Sequence, residues 1–127
     1  MKETEVYDYI IVGAGAAGLM LGSAMALDPF FSSKKILVLD PDPKENNDRS
    51  WCFWSTEEKN KGPWQALQPH HWDYIGVSEG DRLTEKSIAP YHYTLIAAAP
   101  FYALMKKRIV AAPHILFKQE KVGHITQ

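Results

Sequence analysis

The chain has almost no cysteine. Cys52 stands alone among 127 residues, which excludes an internal disulfide and fits a reducing compartment. Cationic runs are short as well: none exceeds Lys106-Lys107-Arg108, and the formal charge is −1, so no nucleic-acid partner is expected. Metal-ligand spacing is missing. His70 and His71 are adjacent, so their side chains point apart, and no further ligand follows at a suitable interval; no metal site is expected. Serine and cysteine side chains lack a neighbouring base, and the carboxylate pairs Glu57-Glu58 and Glu79/Asp81 lie in polar, solvated segments, so no catalytic residue is identified. Repeats and low-complexity tracts are absent. The length suits one domain able to bury roughly two thirds of its unfolded surface.

Charge is also absent from Tyr9 to Leu27, nineteen residues in all, a run long enough by count for a membrane span or a signal sequence. Its details exclude both. Glycines stand at 13, 15, 18 and 22, β-branched residues precede them, and the leader carries Glu3, Glu5 and Asp8 in place of a basic stretch. The run reads as a strand over Val6 to Val12 and a helix over Ala16 to Leu27, with Leu19, Met20, Ser23, Ala26 and Leu27 on one face. Between them lies Gly13-Ala14-Gly15-Ala16-Ala17-Gly18. A second apolar strand, Lys35 to Leu39, ends in Asp40, twenty-two positions after Gly18. This is the dinucleotide-binding fingerprint.

Each residue type has a physical task. Gly13 suits a tight strand-to-helix turn, Gly15 has no Cβ to hold a pyrophosphate off the main chain, and Gly18 with Gly22 lets the helix lie close on the sheet. The unpaired N–H groups of the first helical turn and the positive end of its dipole attract phosphate. Asp40 accepts from the ribose hydroxyls. The expected cofactor contacts are therefore Gly13, Ala14, Gly15, Ala16, Ala17, Gly18, Asp40 and Pro41. Because Pro41, not an arginine, follows the acid, nothing here is made for a ribose 2′-phosphate.

Downstream the pattern changes. Pro41 to Ser50 reads as a loop, and Trp72 to Val77 and Arg82 to Ile88 flank a hairpin turn at Ser78 to Asp81. Ala97 to Val110 is predicted as a helix with apolar Phe101, Leu104, Met105 and Ile109, its first turn holding Pro100 and Pro113 lying beyond its end. Ile115 to Gln119 is then a third parallel strand, and Val122 to Ile125 a short strand after it. The sequence thus divides into a strand-helix-strand core (1–40), a loop and β excursion (41–96), and a helix with a third strand (97–127). All four tryptophans (51, 54, 64 and 72) fall in or just after that excursion's start, a mild pointer to a hydrophobic ligand. An antiparallel excursion between the second and third parallel strands resembles the α/β, Rossmann-like FAD-binding domains of the glutathione reductase and aromatic hydroxylase type.

A more specific resemblance follows the acid. Asn47-Asp48-Arg49-Ser50-Trp51-Cys52-Phe53-Trp54 is similar to the block after the FAD fingerprint in the lycopene cyclase family, which usually shows DRTWCFW there. Ser50 keeps the hydroxyl of the usual threonine. Pro90 to Ile96, followed by Phe101-Tyr102, is similar to that family's next block. The resemblance implies an enzyme that cyclises the ends of lycopene or a related linear carotene to β-ionone rings. That reaction is a non-redox, acid-initiated isomerisation that needs reduced FAD, with NAD(P)H or a carrier as reductant. It further implies a flavin contact for Arg49 and places in the substrate pocket for Trp51, Phe53 and Trp54, whose aromatic faces favour a carbocation. The family's proposed proton donor lies in an acidic motif with no counterpart here. A water-insoluble substrate implies a cytoplasmic enzyme at the inner face of the membrane, associated peripherally.

In this class the FAD domain is completed by strands from farther along the chain, so the sequence is expected to be an N-terminal portion, inactive alone, whose partner is the C-terminal part of the same protein. Two other readings stay open: a related FAD-dependent monooxygenase or prenyl reductase, and a small non-catalytic nucleotide-binding module.

Overall fold

The structure is a computed structural model that describes residues 4–60, 62 and 64–126. In chain order its elements are β1 (Tyr9–Val12), α1 (Ala16–Leu27), β2 (Ile36–Asp40), β3 (Ser50–Thr56), α2 (Glu57–Asn60), β4 (His70–Trp72), β5 (Tyr74–Glu79), β6 (Arg82–Ser87), β7 (Tyr91–Ala97), α3 (Ala98–Ala111) and β8 (Ile115–Gln119). They form two compact units, 1–45 with 102–127, and 46–101.

The first unit is a three-stranded parallel sheet in the order β1-β2-β8. Parallel pairing needs a crossover, and α1 supplies it between β1 and β2. The central strand reads Ile36-Leu37-Val38-Leu39-Asp40 with four of its five residues buried, as expected of a strand covered on both faces. Register is set by Tyr9 opposite Ile36 and by Ile36 opposite Ile115. Helix α1 stops where Asp28 leaves helical geometry and its carboxylate accepts from Phe30 N–H (2.9 Å) ahead of a short turn begun by Pro29.

The buried stripe of α1 differs from the predicted one. Leu19, Gly22, Ser23 and Met25 are buried, whereas Met20 and Leu27 are exposed. Smallness, not apolarity, decides this: a Cβ on Gly22 would lie 3.1 Å from Ile109 Cδ1 of α3 and 3.6 Å from Val38 Cγ2, so the glycine is the seat of the second helix. Arg108 then donates to Ser23 Oγ (3.4 Å) across the same contact. On α3 the predicted apolar positions hold, with Met105 and Ile109 buried.

The second unit holds the antiparallel sheet β3-β7-β4 and the hairpin β5-β6. The hairpin turns at Gly80, whose φ is +58°, within the predicted turn. Trp72 is not part of that hairpin; it ends β4, which pairs with β7, and only after Asp73 does β5 begin. No strand forms over Val122 to Ile125. Strands β3 and β7 pair over seven residues, from Ser50 opposite Ala97 to Thr56 opposite Tyr91.

Buried polar groups in this sheet are all matched. Thr94, fully buried, has its hydroxyl 2.5 Å from Ser55 Oγ and 2.9 Å from His71 Nδ1, joining β7 to β3 and β4 at once. No buried side-chain nitrogen or oxygen among the described residues lacks a partner. Replacing Thr94 by valine keeps the shape and strands both partners. The expected loss is about 1–3 kcal/mol of stability, read as a lowered denaturant midpoint at unchanged slope, and a variant as stable as the parent would show that the network contributes nothing.

Candidate functional site

The finishing ends of β1 and β2 meet at the fingerprint turn. Gly13 has φ +97°, open to glycine but strained for other residues, and its N–H donates to Leu39 O (2.8 Å), tying the turn to the second strand. Gly18 is required for a different reason. A Cβ there would sit 1.9 Å from the carbonyl oxygen of Gly13 and 3.0 Å from its carbonyl carbon, so any side chain would push the helix off the turn. Gly15 is open: no atom lies within 4 Å of where its Cβ would be. That gap is the cradle a pyrophosphate needs for close approach to the main chain.

Helix α1 begins at this gap. Gly15 is its N-cap, provides no side-chain hydrogen bond, and is followed by a first turn without acids. The N–H groups of Ala16, Ala17 and Gly18 precede the first helical bond, Leu19 N–H to Gly15 O (3.0 Å), and with the dipole's positive end they suit an anion.

Asp40 closes the other side. Its Oδ2 accepts from Ala14 N–H (2.7 Å) and its Oδ1 from Asp42 N–H (2.8 Å), with Lys44 Nζ 3.4 Å from Oδ1. Burial pushes the Asp40 carboxyl up, but the Asp42 and Ala14 amides and the Lys44 ammonium outweigh it and hold the group below its ordinary range. The acid is therefore charged at neutral pH and presented beside the turn. Pro41, next in sequence, offers its carbonyl to Gln119 Nε2 (3.1 Å). The residues present fit the adenosine diphosphate half of a dinucleotide: amides and a gap for phosphates, and a fixed carboxylate for a ribose. A shallow cleft of about 450 Å³ lined by Tyr7, Lys35, Pro113 and His114 lies at the starting ends of β2 and β8, the wrong end of a parallel sheet for a nucleotide.

The remaining predicted residues lie in the second unit. Arg49 turns onto Asp48, its Nη2 3.3 Å from Oδ2, and is half exposed. Strand alternation separates the three aromatics of the Trp-Cys-Phe-Trp run. Trp51 and Phe53 share one face, where Trp51 packs on Phe101 (4.8 Å between ring centroids) and Phe53 on Trp64 (6.5 Å). Trp54 takes the opposite face beside Tyr93 (5.4 Å), which also contacts Trp72 (6.1 Å). On that face Trp54 is 54% and Trp72 40% exposed. Electrostatic repulsion from the neighbouring Cys52 sulfur, with their hydrogen bond, pushes the Tyr93 phenol up.

Two features escaped the sequence reading. Lys44 stands inside a Pro-Asp-Pro-Lys loop that signals only a turn, and its i+4 spacing from Asp40 was the available cue. The grouping of Tyr93 and Trp72 with Trp54 depended on knowing that Tyr91–Ala97 is a strand.

Comparison with known proteins agrees with this architecture. The chain is 28% identical over 91 residues to the mitochondrial ubiquinone biosynthesis monooxygenase COQ6 of Danio rerio, covering 72% of the chain and 18% of that protein. Among solved structures it is similar to the flavin-dependent brominase Bmp2 (TM-score 0.61, 14% identity, 95% of the chain and 31% of that structure). It is likewise similar to pqsL, named as a probable FAD-dependent monooxygenase from Pseudomonas aeruginosa (TM-score 0.59, 12% identity, 87% and 32%). The fold is thus that of FAD-dependent monooxygenases: a parallel β1-β2-β8 sheet with an antiparallel excursion. The chain spans about a third of the length of these structures. Residues 8–127 match the family described as lycopene cyclase protein, and the chain belongs to that family.

Proposed function

We propose that this chain supplies the adenosine-binding part of an FAD-dependent, lycopene β-cyclase-like enzyme, which closes β-ionone rings at the ends of a linear carotene. The family match across residues 8–127 carries the reading. The open cradle at Gly15 and the charged Asp40 support FAD as the cofactor, with Gly13 to Gly18 and Pro41 around its diphosphate and ribose. When bound, reduced FAD supplies an electron-rich ring that stabilises a cationic carotene, its electrons coming from NAD(P)H or a carrier.

The chain's own residues contribute positioning and apolar surface. Exposed Trp54 and Trp72, with half-buried Tyr93 between them, form an aromatic face suited to a polyene, and an aromatic ring stabilises a nearby cation by about 0.5–2 kcal/mol. Arg49 is proposed as a flavin or diphosphate contact. The proton donor is assigned to no residue here. Strand β1 pairs only with β2 among the described residues and exposes Tyr9, Ile10 and Val12, an apolar edge on which a further strand from the rest of the enzyme would pair. No helix among the described residues is long and apolar enough to cross a membrane. A peripheral place at the inner face of the membrane is proposed from the insolubility of the substrate. FAD-dependent monooxygenation is the second reading, favoured by the likeness to COQ6 and pqsL.

Two outcomes are expected. First, Gly15→Ala, which meets nothing in the chain, keeps the parent's melting temperature and binds FAD at least about tenfold more weakly, whereas Gly18→Ala lowers the melting temperature through its clash with Gly13. Equal FAD affinity for Gly15→Ala, by flavin fluorescence titration, would remove the cradle from the site. Second, the enzyme containing this chain, supplied anaerobically with lycopene and reduced FAD, yields β-carotene, while residues 1–127 alone convert none. A product formed only with oxygen would select the monooxygenase.

A further inference from the structure

Lys44 lies in a loop that the structure makes part of the site. The loop is anchored at several points: Lys44 N–H donates to Asp42 Oδ1 (2.6 Å), Lys106 Nζ donates to Pro43 O (2.6 Å), and Gln119 Nε2 donates to Pro41 O (3.1 Å). Lys44 itself takes φ +57° within the loop, a left-handed conformation uncommon for a lysine. Its Nζ ends 3.4 Å from Asp40 Oδ1 and 5.7 Å above the ring of buried Tyr102, and the side chains of the Asp40–Lys44 pair are each only 10% exposed. Surface lysines have no such constraint.

The consequence concerns how many hydroxyls Asp40 can hold. An ionised carboxylate offers about four acceptor positions, two on each oxygen. On Asp40, Oδ1 accepts from the Asp42 amide and is faced by the Lys44 ammonium as an ion pair at 3.4 Å, and Oδ2 accepts from the Ala14 amide. Lys44 therefore covers the open side of Oδ1, and the acceptor position without a cation over it is on Oδ2, beside the fingerprint turn.

We infer that Lys44 is a specificity-determining positioning residue: it closes Oδ1, so that Asp40 reads one hydroxyl of the adenosine ribose through Oδ2 and not the 2′,3′-diol. The inference rests on the dinucleotide reading of the site. It also gives the loop a function beyond a connection. With Lys44 in place the acid's charge is offset within the protein, and a dinucleotide's negative phosphates approach a pair that is close to neutral.

The test is a titration of residues 1–127 with ADP, 2′-deoxy-ADP and 3′-deoxy-ADP, followed by the amide NMR shifts of Ala14 and Gly15. In the parent chain one deoxynucleotide should bind about tenfold more weakly than ADP and the other within about twofold. In Lys44→Met, where Oδ1 loses the covering cation, both deoxynucleotides should bind more weakly than ADP. Lys44→Arg keeps the cation and should keep the single-hydroxyl preference. Equal losses for the two deoxynucleotides in the parent chain would overturn the inference while leaving the nucleotide site intact. So would a Lys44→Met variant with the parent's preference. Should Lys44→Met fail to fold, the parent comparison and Lys44→Arg still decide. Absence of shifts with ADP itself would instead overturn the dinucleotide reading.

Discussion

The site depends first on the contact between Gly18 and the carbonyl of Gly13. With 1.9 Å between that oxygen and any Cβ at position 18, only a glycine lets the first turn of α1 approach the end of β1 so closely. Everything else follows from that approach. It sets the helix N-terminus at the finishing ends of the parallel strands, where Gly15 remains uncovered. It also brings Ala14 within 2.7 Å of the carboxylate at the end of β2. The same hydrogen bond that positions Asp40 fixes the turn, so the open glycine and the carboxylate are held together by the fold itself.

Some of this was legible in the residues and some was not, for physical reasons. The uninterrupted apolar run Ile36 to Leu39 could only be a strand buried on both faces, and the glycine spacing gave the turn. Helix α3 showed its buried face because that face is made of large apolar residues. The face of α1 was misassigned because the helix is apolar nearly all round, leaving Gly22 and Ser23 as the true contact and no hydropathy signal to mark it. Strand β3 hid its period for a related reason: Trp51, Cys52, Phe53 and Trp54 are apolar on both faces, so alternation appears only in the burial, where Trp51 and Phe53 are half-buried and Cys52 and Trp54 exposed. Lys44 left only its i+4 spacing from Asp40 as a signal. Its role comes from a left-handed backbone and from Tyr102, which is fifty-eight residues away in sequence.

The aromatic residues of the second unit divide their labour along the strand. The inward set, Trp51 and Phe53 with Trp64 and Phe101, packs the unit, while on the outward face Trp54 and Trp72 stay exposed around a half-buried Tyr93. A single motif thus serves both a core and an open apolar face. Under the proposed function that open face has a chemical sense, since a polyene and a carbocation would both favour aromatic walls.

A crystal structure of this chain with FAD puts the central claim to its most direct trial. The diphosphate is expected against the amides of Gly15 to Gly18, with the adenosine ribose on Asp40 Oδ2. Adenosine bound elsewhere, with the Gly15 gap unfilled and Asp40 free of the ribose, would contradict it.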